Sequence, residues 1–290
     1  MSEPVKTVAE VLKAGADYLA KQGVDQPRAA CEVLLGRLLG CRRLDVHTRH
    51  DEVLGEKHLE AMRRGIKRVA AGEPVQYVTG ETEFKGRVFK VDKRALIPRP
   101  ETELLVDEVL TCEALWKKPQ PAVMDWGTGS GCIAISLALE RPKGLYLALD
   151  ASADAVALAR ENAAAHGVAE RIGFADADVS ELVEPESFDA IVANLPYIPT
   201  ADWQRLPAHI RNHEPRQALD GGPRGLSVIE SVAHDASMVL RAGGRFFLEI
   251  GHQQGPAVKS LLAETGFSDV QVKKDLAGHD RIVTAVLGEA

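Results

Sequence analysis

Ala122-Val123-Met124-Asp125 runs into Gly127-Thr128-Gly129-Ser130-Gly131, and Ile133, Ile135, Leu137 and Leu139 come next as the apolar positions of a largely buried helix. A strand, a glycine-rich turn and a helix in that order bring backbone close to a ligand, because only glycine leaves no Cβ in the way. Roughly 20 residues on, the apolar stretch Leu145 to Leu149 ends in Asp150, placed to hold ribose hydroxyls. The order and register describe a site for an adenosine nucleoside, and they commit this part of the chain to an α/β sheet.

The chain beyond Asp150 keeps the same rhythm. Ala151 to His166 reads as a helix, Ile172-Gly173-Phe174 as a strand ending near Asp176 and Asp178, and Phe188 to Ala193 as a buried strand. A helix over 226–240, a strand over 244–250, a helix over 256–264 and a closing pair at 270–272 and 282–286 complete it. Alternating strands and helices predict a doubly wound parallel sheet. Asp275 to Arg281, with its acids and His279, reads as a tight turn between the last strands.

The strand over 188–193 delivers Asn194-Leu195-Pro196-Tyr197 to the carboxyl edge of that sheet, where open α/β sheets place their chemistry. An Asn side-chain oxygen and the next backbone carbonyl can converge as two acceptors on one planar –NH2, and Tyr197 offers a face for a flat group. The same string also fits a turn that merely ends a strand.

Ahead of this sheet, Thr7-Val8-Ala9-Glu10 is a capping-box pattern with Val8, Val11, Leu12 and Leu19 behind it and Gly23 as the stop. Pro27 opens a second helix that ends at Gly40, and Leu59, Met62, Ile66 and Val69 mark a third that stops at Gly72. Residues 1–72 are therefore expected to form a small helical bundle. Tyr77-Val78, Phe84 and Val88 to Val91, broken by Gly80 and Gly86, predict a β-hairpin linker over 73–95. In Leu96-Ile97-Pro98-Arg99-Pro100-Glu101-Thr102-Glu103, Pro100 opens a helix and the acids suit its positive end, while prolines around Arg99 make a stiff lip over the nucleoside site.

The chain has 290 residues, 45% of them hydrophobic, ample for a buried core. Its start, Met1-Ser2-Glu3-Pro4, has no basic segment followed by an apolar stretch, so a cytoplasmic protein without membrane contact is expected. The cysteines Cys31, Cys41, Cys112 and Cys132 stand far apart, which predicts neither a metal site nor disulfides. Residues 1–95 carry 18 Lys+Arg against 14 Asp+Glu, net +4, and the rest 17 against 28, net −11. A face that tracks nucleic acid would be basic, so none is expected on the sheet domain.

Motif I of class I S-adenosylmethionine methyltransferases is similar to the G-x-G-x-G of Gly127 to Gly131, whereas dinucleotide folds use G-x-G-x-x-G to seat a pyrophosphate. A wider set of blocks is more specific. Glu73-Pro74 to Tyr77, the Leu96 to Glu103 block, Asn194 to Ile198, Glu214-Pro215, Gly221-Gly222, Leu248 to Gly251 with Gln254, and Asp275 to Arg281 resemble the peptide-chain-release-factor glutamine N5-methyltransferases over nearly the whole chain. The resemblance implies a Rossmann-like domain at 96–290 with a mixed, mostly parallel seven-stranded sheet, joined by the hairpin to the helical bundle. It implies methyl transfer from S-adenosylmethionine to the glutamine amide of the Gly-Gly-Gln tripeptide in class 1 release factors, by a monomer. On this resemblance Gly127, Thr128, Gly129, Ser130, Gly131, Asp150, Asp178, Val179 and Asn194 hold the cofactor. Asn194, Leu195, Pro196 and Tyr197 carry catalysis and, with Arg99 and Glu101, bind the substrate. Two departures stand out: Leu195 where the family has proline, as in the similar Asn-Leu-Pro-Tyr of rRNA adenine dimethyltransferases, and Val179 where relatives often carry an aromatic residue near the adenine.

Overall fold

The computed structural model describes residues 6–176 and 184–288. The chain forms two compact units, one reaching to Glu81 and taking in Pro207–His213, the other comprising Thr82–Leu206 and the chain from Glu214 onward.

The first unit pairs β1 (Lys6–Thr7) with β2 (Val53–Leu54) and packs helices α1 (Val8–Lys21), α2 (Pro27–Leu39) and α3 (Glu56–Ala70). Thr7 caps α1 reciprocally with Glu10: the Glu10 N–H donates to Thr7 Oγ1 at 3.3 Å, and the Thr7 N–H donates to Glu10 Oε2 at 2.9 Å. Gly40, left-handed at φ 63°, ends α2. Leu19, Leu35 and Met62 lie at the centre of its core. Tyr77-Val78 depart from the sequence expectation, because they belong to a short helix, α4 (Val75–Thr79), and not to a strand. The N–H groups of Tyr77 and Val78 both donate to the Pro74 carbonyl, which closes a helical turn that Gly80 then terminates at φ 75°. The hairpin is confined to β3 (Glu81–Phe84) and β4 (Arg87–Lys90), around Lys85 and Gly86 at φ 50° and 70°.

In the second unit α5 (Pro100–Thr111) and α6 (Glu113–Trp116) lead to β5 (Ala122–Trp126), α7 (Cys132–Glu140), β6 (Leu145–Leu149), α8 (Ala153–Ala165) and β7 (Ile172–Ala175). After the interval outside the described residues come β8 (Phe188–Asn194), the helix Ser227–Val239, β9 (Leu240–Glu249), the helix Gly255–Glu264, β10 (Phe267–Lys274) and β11 (Asp280–Leu287). The sheet runs β10-β11-β9-β8-β5-β6-β7. β11 is antiparallel to both its neighbours and every other pairing is parallel. Both faces are covered: Ala190 and Val192 of β8 point into one apolar cluster, Ile191 and Ala193 into the other. This explains the uninterrupted apolar run, since a strand buried on two faces has no polar positions to alternate. Strand order reverses between β5 and β8, so the loops leaving those two strands flank the crevice where such sheets bind ligands.

The Asp275 to Arg281 block makes the turn between β10 and β11 over 275–279, with Asp280 and Arg281 already in β11; the turn is closed by the Asp275 N–H donating to the His279 carbonyl at 2.8 Å and by Gly278 at φ 82°. Among the described residues no helix is long and apolar enough to cross a membrane.

Candidate functional site

The glycine turn is anchored from beneath by Asp125, buried at the end of β5. Its Oδ2 accepts the Thr128 hydroxyl at 2.6 Å and the Ala134 N–H at 3.0 Å, which caps the first turn of α7. Burial pushes this carboxyl up to about 7. Gly127 and Thr128 both donate to the Leu149 carbonyl, tying the turn to the end of β6. Gly127, Gly129 and Gly131 have φ of 78°, 54° and 82°, a region side chains disfavour. A Cβ on Gly131 would meet Ile135 at 2.9 Å and Ala159 at 3.1 Å, so its absence lets the turn seat against α7 and α8. Asn162, buried on α8, donates to the carbonyls of Ser130 and Lys90 and holds the turn to β4. Sequence reasoning reads Asp125 only as the acidic end of its strand, without a role in the turn, and does not single out Asn162. The signal for Asp125 is its place at a strand end before glycine, and Asn162 has none beyond being polar in a helix.

Asp150 closes the turn from the other side. One carboxylate oxygen accepts the Gly129 N–H at 2.9 Å and the other accepts the Ser152 N–H at 2.9 Å. Each oxygen keeps a lone pair for a further donor, the arrangement a ribose diol needs. Burial raises this carboxyl, and the two N–H donors pull it back.

A cavity of about 320 Å³ opens over this turn, lined by Gly127, Thr128, Gly129, Ser130 and Asp150 on one side and by Asn194, Leu195 and Pro196 on another. Its volume falls in the ~300–1,000 Å³ range of small-molecule sites. Arg99 also lines it, paired with the buried Glu214 carboxylate, which in addition accepts the Ile97 N–H at 3.1 Å and so holds the proline lip in place. Gly131, Glu101 and Tyr197 are not among the lining residues. Asp178 and Val179 lie outside the described residues.

Asn194 stands in register with Glu249 on the neighbouring strand β9. Its Nδ2 donates to Thr102 Oγ1 at 2.9 Å, and the Thr102 hydroxyl donates to Glu249 Oε2 at 2.7 Å. The Tyr197 hydroxyl donates to Glu249 Oε1 at 3.3 Å. Burial pushes Glu249 up to about 7, against the opposing pull of these hydroxyl donors and of the Arg281 charge. Among the described residues no donor is bonded to Asn194 Oδ1 or to the Leu195 carbonyl. Leu195 itself is buried in the core shared with Met124 and Leu149, its Cδ2 beside Gly127.

The loop is braced from behind. Ile198 donates to the Leu219 carbonyl and accepts from the Gly221 N–H, and Thr200 donates to the Gly222 carbonyl. Gln254 donates through Nε2 to the carbonyls of Tyr197 and Gly225, at 2.9 and 3.0 Å, while its Oε1 accepts the Gly251 N–H. Thr102 and Glu249, unassigned from sequence, thus complete the site, and Gln254 carries its backbone support.

These groups fit S-adenosylmethionine: a glycine cradle for the amino-acid portion, a doubly anchored carboxylate for the ribose, and apolar walls from Ala95, Ile97 and Ile133. Among the described residues no group of three or more His, Cys, Asp or Glu is arranged to hold a metal ion. Asp150→Ala removes the acceptor of the Gly129 and Ser152 N–H groups and the acceptors for the diol. Calorimetry is expected to show cofactor affinity weakened by about 1–3 kcal/mol, and undiminished affinity would remove Asp150 from the site.

Residues 10–80 match the PrmC N-terminal domain and residues 102–209 the methyltransferase small domain. The release factor glutamine methyltransferase of Chlorobaculum tepidum is 43% identical over 286 residues, covering 96% of this chain and 97% of that protein. That of Moorella thermoacetica is 42% identical over 280 residues, with 96% and 98% covered. Among solved structures, a methyltransferase from Pyrococcus furiosus matches with a TM-score of 0.53 at 14% identity, over 81% of this chain and 100% of its own, a likeness of fold. With near-complete coverage at this level of identity, the chain belongs to the family of release factor glutamine methyltransferases.

Proposed function

We propose that the protein methylates the side-chain amide nitrogen of the glutamine in the Gly-Gly-Gln tripeptide of class 1 peptide chain release factors. The observation that carries this is the pair of unengaged acceptors, Asn194 Oδ1 and the Leu195 carbonyl, on consecutive residues beside the glycine turn. S-adenosylmethionine, when bound, supplies an electrophilic sulfonium methyl.

An amide nitrogen is a poor nucleophile because its lone pair is delocalised into the carbonyl. Asn194 Oδ1 and the Leu195 carbonyl accept its two hydrogens, which fixes the plane of the –NH2 and presents one face of the nitrogen to the methyl carbon. Methyl transfer would place positive charge on the nitrogen, and the dipoles of Asn194 Oδ1 and the Leu195 carbonyl, holding its hydrogens, would stabilise that charge. The hydrogen that the methyl replaces leaves as a proton to water. No strong base is needed, and the gain comes from orientation and preorganised dipoles. Pro196 restrains Leu195 to extended backbone, so the acceptor is kept although the residue is not proline.

We further infer that residues 1–72 add contact area to the release factor, with 73–95 as linker and 96–290 as the catalytic domain. A lone glutamine offers too little surface for specificity. The net charge of −11 beyond residue 95 supports a protein rather than a nucleic-acid substrate; we infer separately that the enzyme works as a cytoplasmic monomer. Incubation of the purified protein with methyl-labelled cofactor and, separately, a release factor or ribosomal RNA tests the reading. Label is expected on the tripeptide glutamine, and label on RNA adenine alone would transfer the site to the other substrate class.

A further inference from the structure

Resting on the reading of Asn194 as an acceptor, we propose that Thr102 and Glu249 are positioning residues that dictate which end of the Asn194 amide faces the substrate. The two ends of a carboxamide have nearly the same shape and opposite hydrogen-bonding character. With oxygen outward, Asn194 receives the substrate –NH2; with nitrogen outward it sets donor against donor. Cavity shape alone does not choose between them.

The choice is made by a one-way chain of hydrogen bonds. Thr102, on the first turn of α5, and Glu249, at the end of β9, are both buried. A hydroxyl has one proton, and that of Thr102 goes to Glu249 Oε2 at 2.7 Å. Thr102 Oγ1 therefore shows only lone pairs to Asn194, and only the Nδ2 end can face it, at 2.9 Å. Tyr197 occupies the other Glu249 oxygen as a second donor. Ionised Glu249 accepts from both sides and leaves neither hydroxyl free to reverse, so Oδ1 is the end that remains for the substrate.

A packing role and a polarity role for Thr102 predict opposite orders for two substitutions. Thr102→Val keeps the shape and loses the hydroxyl, whereas Thr102→Ser keeps the hydroxyl and loses a methyl group. Steady-state kinetics with a release factor are expected to show kcat lowered about tenfold to a hundredfold in Thr102→Val, with KM and cofactor affinity within about twofold of the parent. Thr102→Ser is expected to stay within about threefold in kcat. Glu249→Gln, which retains size but is no longer an acceptor only, is expected to lower kcat with cofactor affinity kept, and serves as the second variant should Thr102→Val fail to fold. Parental kcat in Thr102→Val or in Glu249→Gln, or equal losses in the Ser and Val variants, overturns the inference. Asn194→Ala separates the two levels. If it loses kcat while Thr102→Val does not, the inference alone fails; if Asn194→Ala itself keeps kcat, the acceptor reading falls and the inference with it.

Discussion

Replacing Asn194 by alanine is expected to lower kcat for glutamine methylation by roughly two to three orders of magnitude, the loss seen when one partner of a preorganised oxyanion hole is removed. Cofactor affinity should hold, because the glycine turn and Asp150 are anchored through Asp125, Leu149 and Ser152 and not through Asn194. Asn194→Asp is the sharper variant. A carboxylate can still accept the substrate hydrogen that Oδ1 takes, but it has no Nδ2 to give to Thr102 Oγ1, whose proton is already committed to Glu249. Two carboxylates would compete for that single proton at positions paired across adjacent strands. An added negative charge beside a sulfonium also stabilises the ground state as much as the transition state. The aspartate variant is therefore expected to fall well below the parent in kcat. Kinetics for the two variants, read with calorimetric cofactor binding, check this, and parental kcat in Asn194→Ala would remove the residue from the chemistry.

Legibility tracks the range of each interaction. The strand, glycine turn, helix and acid of Ala122 to Asp150 can be read because their parts are local and their spacing is fixed by element geometry. The capping of α1 by Thr7 and Glu10 is local in the same way. Tyr77-Val78 mislead because an apolar pair between glycines fits a strand or a single helical turn equally, and Pro74 together with Gly80 decides for the turn. Thr102 and Glu249 are hidden for a different reason: their meeting with Asn194 depends on strand order and register, which no spacing in the chain records. Within Asn-Leu-Pro-Tyr, Leu195 reads as a departure from the family's proline. The structure gives its side chain a place in the core against Gly127, a contact visible only once β5 and β8 are neighbours.

Gly225→Ala is expected to disable the enzyme from a position that touches no ligand. Gly225 has φ 71°, and a Cβ there would lie 2.2 Å from the Tyr197 carbonyl oxygen and 2.9 Å from Gln254 Nε2. The obstructing atom is backbone, held in place by the Gln254 amide that bridges both carbonyls, so it cannot swing aside as a flexible side chain would. Something in the segment from Leu195 to Tyr197 must move, and the Leu195 carbonyl moves with it. A displacement near 1 Å in a positioned group is enough to cost about a hundredfold in rate. The strained backbone adds a stability loss of roughly 1–3 kcal/mol. Gly243→Ala separates these effects: Gly243 has nearly the same φ, 70°, with nothing within 4 Å of a built Cβ. It is expected to lower the melting temperature and leave kcat near the parent value, whereas Gly225→Ala is expected to lose both. Equal kcat in the two variants would mean that the Gly225 brace does not control the Asn194 to Tyr197 loop.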